Sequence, residues 1–268
     1  MHPCNLLLNN GLPQPSASGK SDPGLVEKCF DIFSCCQLYP YSSAAFYYVY
    51  NGISPPDKLG TDCVGQAEIL KQKLHELSIT AKYIEDTIVG RHRSLLCEVD
   101  CQQYYMSPYL LHQYPVPLNK ATLLVLPTFP VMQGQASKLF ITKTDNILEV
   151  KKTWLNSSRV DRFCFDLNIS TSMELTQQEW MRRLIHPEQK TISIRVLDPL
   201  NGEVLHYLIN IENLNGAYVI SSNGASYKQS EEFNRVLKRI AELTDSAPSE
   251  IEDYIFGALA LRHRLLSD

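Results

Sequence analysis

Apolar residues recur at three- and four-residue steps over Leu25, Cys29, Ile32, Phe33 and Cys36, and again over Cys63, Ala67, Leu70, Leu74 and Leu77. Both series predict a helix with one buried face. Asp22-Pro23 starts the first, with Asp22 as cap and Pro23 in the first turn. The second begins near Asp62, after the turn-forming run Ser54-Pro55-Pro56-Asp57-Lys58-Leu59-Gly60. Between them, Tyr39 to Tyr50 is rich in aromatic residues, which places it against the two helices or along a substrate-facing wall. Helical spacing returns near the end of the chain. Ser230 caps Glu231–Leu243, whose apolar positions are Phe233, Val236, Leu237 and Ile240, and a last helix from Ser249 carries Ile251, Tyr254, Ile255 and Leu259.

The middle of the chain alternates instead. Ile79–Ile84, His92–Asp100 and Tyr104–Pro108 read as three successive strands, the last stopped by proline. Further short strands are predicted at Ala121–Leu126, Lys138–Thr142, Ile147–Val150, Arg162–Asn168, Thr191–Leu197, Val204–Ile211 and Gly216–Ser221. Trp154 follows one of them as an end plug, Thr176 to Glu179 is a capping box for a short helix with Trp180 and Leu184, and Asp198 to Gly202 reads as a hairpin turn. Even spacing of short strands points to an antiparallel sheet or barrel. The expectation is an α+β protein: a flexible tail over residues 1–22, a helical region carrying Cys63 over 23–78, an antiparallel β-barrel region over 79–225 and a helical cap over 226–268.

Composition narrows the classes. With 268 residues the chain can bury a full core, and 44% hydrophobic against 20% charged residues fits a soluble globular protein. A net charge of −4 argues against a nucleic-acid partner, which needs clustered Lys and Arg. No signal peptide and no apolar run near membrane-spanning length is legible, so a cytoplasmic location with no membrane partner is expected. Eight cysteines without a secretory signal do not make a disulfide framework, and no Cys-x-x-Cys or paired histidines complete a metal site. The face of the penultimate helix that carries Arg235, Lys238 and Arg239 is a solvated face or an anion contact.

The chemistry-bearing pattern begins at Cys63. In the first turn of a helix, unpaired backbone N–H groups and the positive end of the dipole favour a thiolate, although the same spacing fits a cysteine that is only a small buried hydrophobe. His92 opens one strand and Ser107 ends its neighbour. A cysteine, a histidine to take its proton and a third polar group to orient the ring make a nucleophilic constellation.

The run G-x-D-C-x-x-x-A-x-x-L-x-x-x-L at Gly60, followed by H-x-x-x-x-x-E-V-D-x-x-x-Y-Y-x-S-P at His92, resembles the Cys-His-Asp core shared by arylamine N-acetyltransferases and transglutaminase-like enzymes. The likeness spans about residues 58–118, and the early position of Cys63 is closer to the acetyltransferase layout. It implies a papain-like cysteine fold with a central antiparallel β-barrel, and a catalytic set of Cys63, His92 and Ser107, where Ser107 stands in the family's aspartate position. Gly60-Thr61-Asp62 and Gln66 also depart from the acetyltransferase motif. The implied reaction is cysteine-dependent acyl transfer through an acyl-thioester enzyme to an amine. The co-substrate would be an acyl-CoA or a carrier-bound thioester, supplied by a small molecule or a carrier protein, with no bound cofactor and no metal such as calcium. Two alternatives share these residues: a transglutaminase-like cysteine hydrolase acting on a peptide or amide, and a catalytically degenerate binding protein on the same fold.

Overall fold

The computed structural model describes residues 24–88, 90, 92–118, 122–129, 137–153, 160–169, 189–200, 202–212, 217–220, 228–231 and 233–267. The expected cap at Asp22-Pro23, the tail, Trp154 and the capping-box helix at Thr176 lie outside these residues. The first helix, α1 (Leu25–Gln37), buries Cys29, Phe33 and Cys36. The aromatic run splits into a two-residue strand, β1 (Tyr41–Ser42), and the short helix α2 (Ala45–Tyr50). The Cys63 helix, α3 (Cys63–Glu76), starts where expected, with Asp62 as its N-cap.

Three antiparallel sheets follow. The first holds β2 (Ala81–Glu85), β3 (Arg93–Val99), β4 (Gln102–Met106) and β5 (Val116–Pro117) in that order. The second is the meander β6 (Thr122–Pro127), β7 (Lys138–Thr144), β8 (Ile147–Thr153) and β9 (Val160–Asp166). The third runs β1, β10 (Thr191–Asp198), β11 (Glu203–Asn210), β12 (Ala217–Ile220), β13 (Lys228–Glu231). Where a barrel was expected, the strands fall into three antiparallel sheets with no closed ring among the described residues, and single bridges, Asp86 with Phe165 and His112 with Thr128, join the first two sheets at their edges. Ser230 is also not a cap: it lies in β13 opposite Tyr218, and the helix after it, α4 (Phe233–Thr244), begins later. The last helix is α5 (Pro248–Ser267). No described helix is long and apolar enough to cross a membrane.

Strand alternation explains how the first sheet is covered on both sides. Leu95, Cys97 and Val99 of β3 join Met106 in a core with Phe33 of α1 and with Leu70 and Leu74 of α3. Their neighbours Leu96 and Tyr105 face the other way, into a core with Leu139, Ile141, Leu148, Val150 and Phe165 of the second sheet. Leu70 and Leu74 are fully buried, and burying one such side chain is worth about 1.5–3 kcal/mol. The aromatic segment divides: Tyr41, Phe46 and Val49 cluster with Cys63 and Val64 of α3, as expected, while Ala44 and Tyr47 belong to the core formed by β10, β11, α4 and α5. The hairpin between β10 and β11 is closed as expected, with Asp198 Oδ1 accepting from the Leu200 N–H at 2.9 Å and Gly202 at φ +67°.

β1 couples the third sheet to the Cys63 helix. Ser42 N–H donates to Thr61 O at 2.9 Å and Thr61 N–H donates to Pro40 O at 3.1 Å, while Tyr41 pairs with Arg195 of β10. Gly60 is needed between these bonds: its φ is +97°, and a Cβ there would lie 2.5 Å from Pro40 O.

Candidate active site

Asp62 sets the first turn of α3. Its Oδ1 accepts from the N–H groups of Val64 at 2.7 Å and Gly65 at 2.9 Å, satisfying two donors that a helix start leaves open. Gly65 permits this close turn, since a Cβ there would fall 1.8 Å from Thr61 Oγ1. Cys63 follows the cap and is only 5% exposed, packed with Tyr41, Phe46, Val49 and Val64, with Tyr109 against that cluster.

Its surroundings oppose the activation that its helix position favours. Burial, and then the Asp62 carboxylate, push its pKa well up, and the opposing pulls of Arg195 and of the Cys63 and Val64 N–H groups are smaller. Desolvation disfavours the charged form of any isolated thiol. The same carboxylate that caps the helix cancels much of the dipole's help, and it takes the N–H groups of Val64 and Gly65 out of any oxyanion hole.

His92 and Ser107 come together through strand register. Leu96 pairs with Tyr105 and Leu95 with Met106, so one further step sets Ser94 opposite Ser107, and His92 lies two residues on, along the same face. Ser94 Oγ and Ser107 Oγ lie 3.0 and 3.1 Å from His92 Nε2, and Ser94 Oγ is also 3.1 Å from Tyr105 OH. Both His92 and Ser107 are at least 98% buried. His92 Nδ1 has no hydrogen-bond partner among the described residues. A proton on Nε2, shared with the two hydroxyls, leaves the lone pair on Nδ1, the state a general base needs.

No carboxylate bonds this ring among the described residues. Burial, then Arg195, then Lys152 lower its pKa from 6.5 to about 3, so the imidazole is neutral. Phe163 lies 4.6 Å and Tyr109 5.2 Å from the ring, between centroids. Tyr109 thus touches His92 and also packs on the Cys63 cluster. The two candidate catalytic residues share this neighbour, and no hydrogen bond joins Cys63 to His92 directly.

Three contributors escaped the sequence reading. His112 Nε2 accepts the Ser107 backbone N–H at 2.9 Å while its Nδ1–H donates to Tyr114 O at 2.7 Å, which anchors the end of β4. Burial lowers His112 to about 4. Ser94 was legible in principle, since it lies two residues from His92 on an alternating strand. Arg195 carried no local signal. It is brought in by the β1–β10 pairing, its guanidinium 4.1 Å from the Tyr41 ring centroid and 4.2 Å from that of Tyr109. Among the described residues no three His, Cys, Asp or Glu side chains gather as a metal site.

No family model and no curated protein matches this sequence. Solved structures do match in shape. An arylamine N-acetyltransferase of Mycobacterium smegmatis is similar at a TM-score of 0.58 and 13% identity, over 91% of this chain and 94% of that one. The Mycobacterium marinum arylamine N-acetyltransferase, in complex with CoA, gives 0.56 and 10% over 89% and 94%. A Bacillus cereus arylamine N-acetyltransferase with a Cys-His-Glu catalytic triad gives 0.53 and 11% over 90% and 97%. The chain therefore has an arylamine N-acetyltransferase-like fold, in agreement with the resemblance read from Cys63 and His92.

Proposed function

We propose that the protein is a cysteine-dependent acyltransferase that draws an acyl group from an acyl-CoA, or from a carrier-bound thioester, and passes it to an amine. The observation that carries this reading is the state of His92. Its Nε2 is held by Ser94 and Ser107, and its Nδ1 is the open nitrogen, on a fold shared with solved arylamine N-acetyltransferases. His92 accepts the proton of Cys63, and the sulfur attacks the thioester carbonyl. The thiol of CoA leaves with that proton, and the acyl group remains on Cys63. An amine then attacks the acyl-enzyme, losing its proton to His92, and frees the thiol. Substrate entry must bring Cys63 and His92 into closer register, since apo catalytic hydrogen bonds are often loose.

Ser107 orients the ring but supplies no charge for an imidazolium, so both proton transfers proceed with less stabilisation than a carboxylate would give. Measured release of CoA from acetyl-CoA, with and without an arylamine, tests the reading. An acetylated amine formed by the wild type and lost in Cys63→Ser supports it. Free acetate formed at the same rate regardless of the amine assigns the hydrolase instead.

One observation favours a second reading, a binding protein on this fold. Arg195 and Lys152 disfavour a charged His92, whose Nε2 meets the hydroxyls of Ser94 and Ser107 where a conventional triad sets an anion, and burial disfavours the Cys63 thiolate. This reading predicts acyl-CoA or amine binding by calorimetry with no CoA release.

A further inference from the structure

Gln37 on α1, Gln66 on α3 and Arg195 on β10 line one cavity of about 10 Å³. Each carries a buried polar atom with no hydrogen-bond partner among the described residues: Gln37 Oε1, Gln66 Oε1 and Arg195 Nη2. The three residues are 2%, 3% and 8% exposed and the atoms themselves are buried, so bulk water does not serve them. Buried polar groups without partners are rare in folded proteins, and three around one cavity call for a shared ligand.

The roles of the three atoms are fixed. Gln66 Nε2 donates to Tyr39 O at 3.0 Å and Gln37 Nε2 donates to His112 O, and a backbone carbonyl can only accept. Both amides are thereby locked with Oε1 as an acceptor. Arg195 Nη1 donates to Tyr109 O at 3.3 Å, and Nη2 can only donate. The cavity thus offers two acceptors and one donor. An anion would meet two carbonyl oxygens, and a cation would meet the guanidinium. A water molecule satisfies all three, giving its two O–H groups to the glutamines and accepting from Arg195. The volume agrees, because one water needs about 10–15 Å³ by this measure and two to four polar partners.

We infer that a single ordered water is built into this site and ties α1, α3 and β10 together. Gln66 stands three residues after Cys63 on α3, and Arg195 is clamped by Tyr41 and Tyr109, which pack about Cys63. The water holds the guanidinium in that clamp, beside the thiol. The site stands whether or not Cys63 transfers acyl groups.

A crystal structure at high resolution tests it directly. One density peak within hydrogen-bonding distance of all three atoms is expected. An empty cavity, a glutamine turned onto a protein donor, or an anomalous peak there after a bromide soak would overturn the proposal. Oxygen-17 relaxation dispersion in solution gives an independent count of long-lived internal waters. Gln66→Leu and Gln37→Leu should each lower that count by one relative to the wild type, and an unchanged count in a folded variant overturns the inference even if the other variant fails to fold.

Discussion

Acidification should unfold this protein through two histidines. His92 and His112 are both fully buried and neutral, with pKa values lowered from 6.5 to about 3 and about 4. A folded-state pKa below the unfolded one means that the unfolded chain binds protons the native chain refuses. The contribution to stability is therefore complete above the unfolded value and is lost as pH falls from there toward the folded value. From roughly pH 7.5 to roughly pH 5, each ring takes up nearly a full proton on unfolding and the native rings almost none, so each costs about 2 kcal/mol and both about 4. Against a total of about 5–15 kcal/mol for a typical domain, that loss is large. Urea unfolding at several pH values across this window measures it. His92→Gln and His112→Gln should each remove about half of the pH-dependent loss, whatever they do to stability at neutral pH. A wild-type curve flat over the window, or variants with the wild-type slope, would refute the burial argument.

Other perturbations follow from the same geometry. Ser107→Asp sets a carboxylate beside His92 Nε2 and should raise the ring pKa by about 1–3 units, read from its NMR titration; no movement would mean that Ser107 does not govern the ring. Asp62→Asn keeps a cap oxygen and removes the charge that raises the Cys63 thiol, so Cys63 should alkylate faster at a given pH than in the wild type. An unchanged rate would show burial to be the sole control. Asp62→Ala should in addition cost about 0.5–2 kcal/mol in urea unfolding, through the lost cap. Gly65→Ala should destabilise through the 1.8 Å approach of its Cβ to Thr61 Oγ1, and a wild-type melting temperature would contradict that packing.

The helix of Cys63 and its cap were legible because Asp62 and the Cys63-Ala67-Leu70-Leu74 spacing act locally. The pairing of His92 with Ser107 was legible as adjacency of two strands, since a histidine opening one strand and a serine ending the next meet in antiparallel register. The division into sheets was not, because strand spacing in sequence does not say where one sheet stops and another starts: the third sheet turns on the pairing of Tyr41 with Arg195, far apart in the chain. Arg195 was hidden for the same reason. The helix start at Cys63 was legible from local signals, whereas the burial and the Asp62 charge that oppose its dipole depend on packing around the thiol. Ser230 has the composition of a cap, yet its backbone is taken by a strand pair with Tyr218.

The most direct test is to incubate the protein with acetyl-CoA in the absence of amine and to measure its intact mass and then its peptides. The account predicts one acetyl group, carried by Cys63, formed by the wild type, slowed strongly in His92→Gln and discharged by an added arylamine. An unmodified Cys63, or the same acetylation in His92→Gln as in the wild type, would contradict a thiol activated by that imidazole.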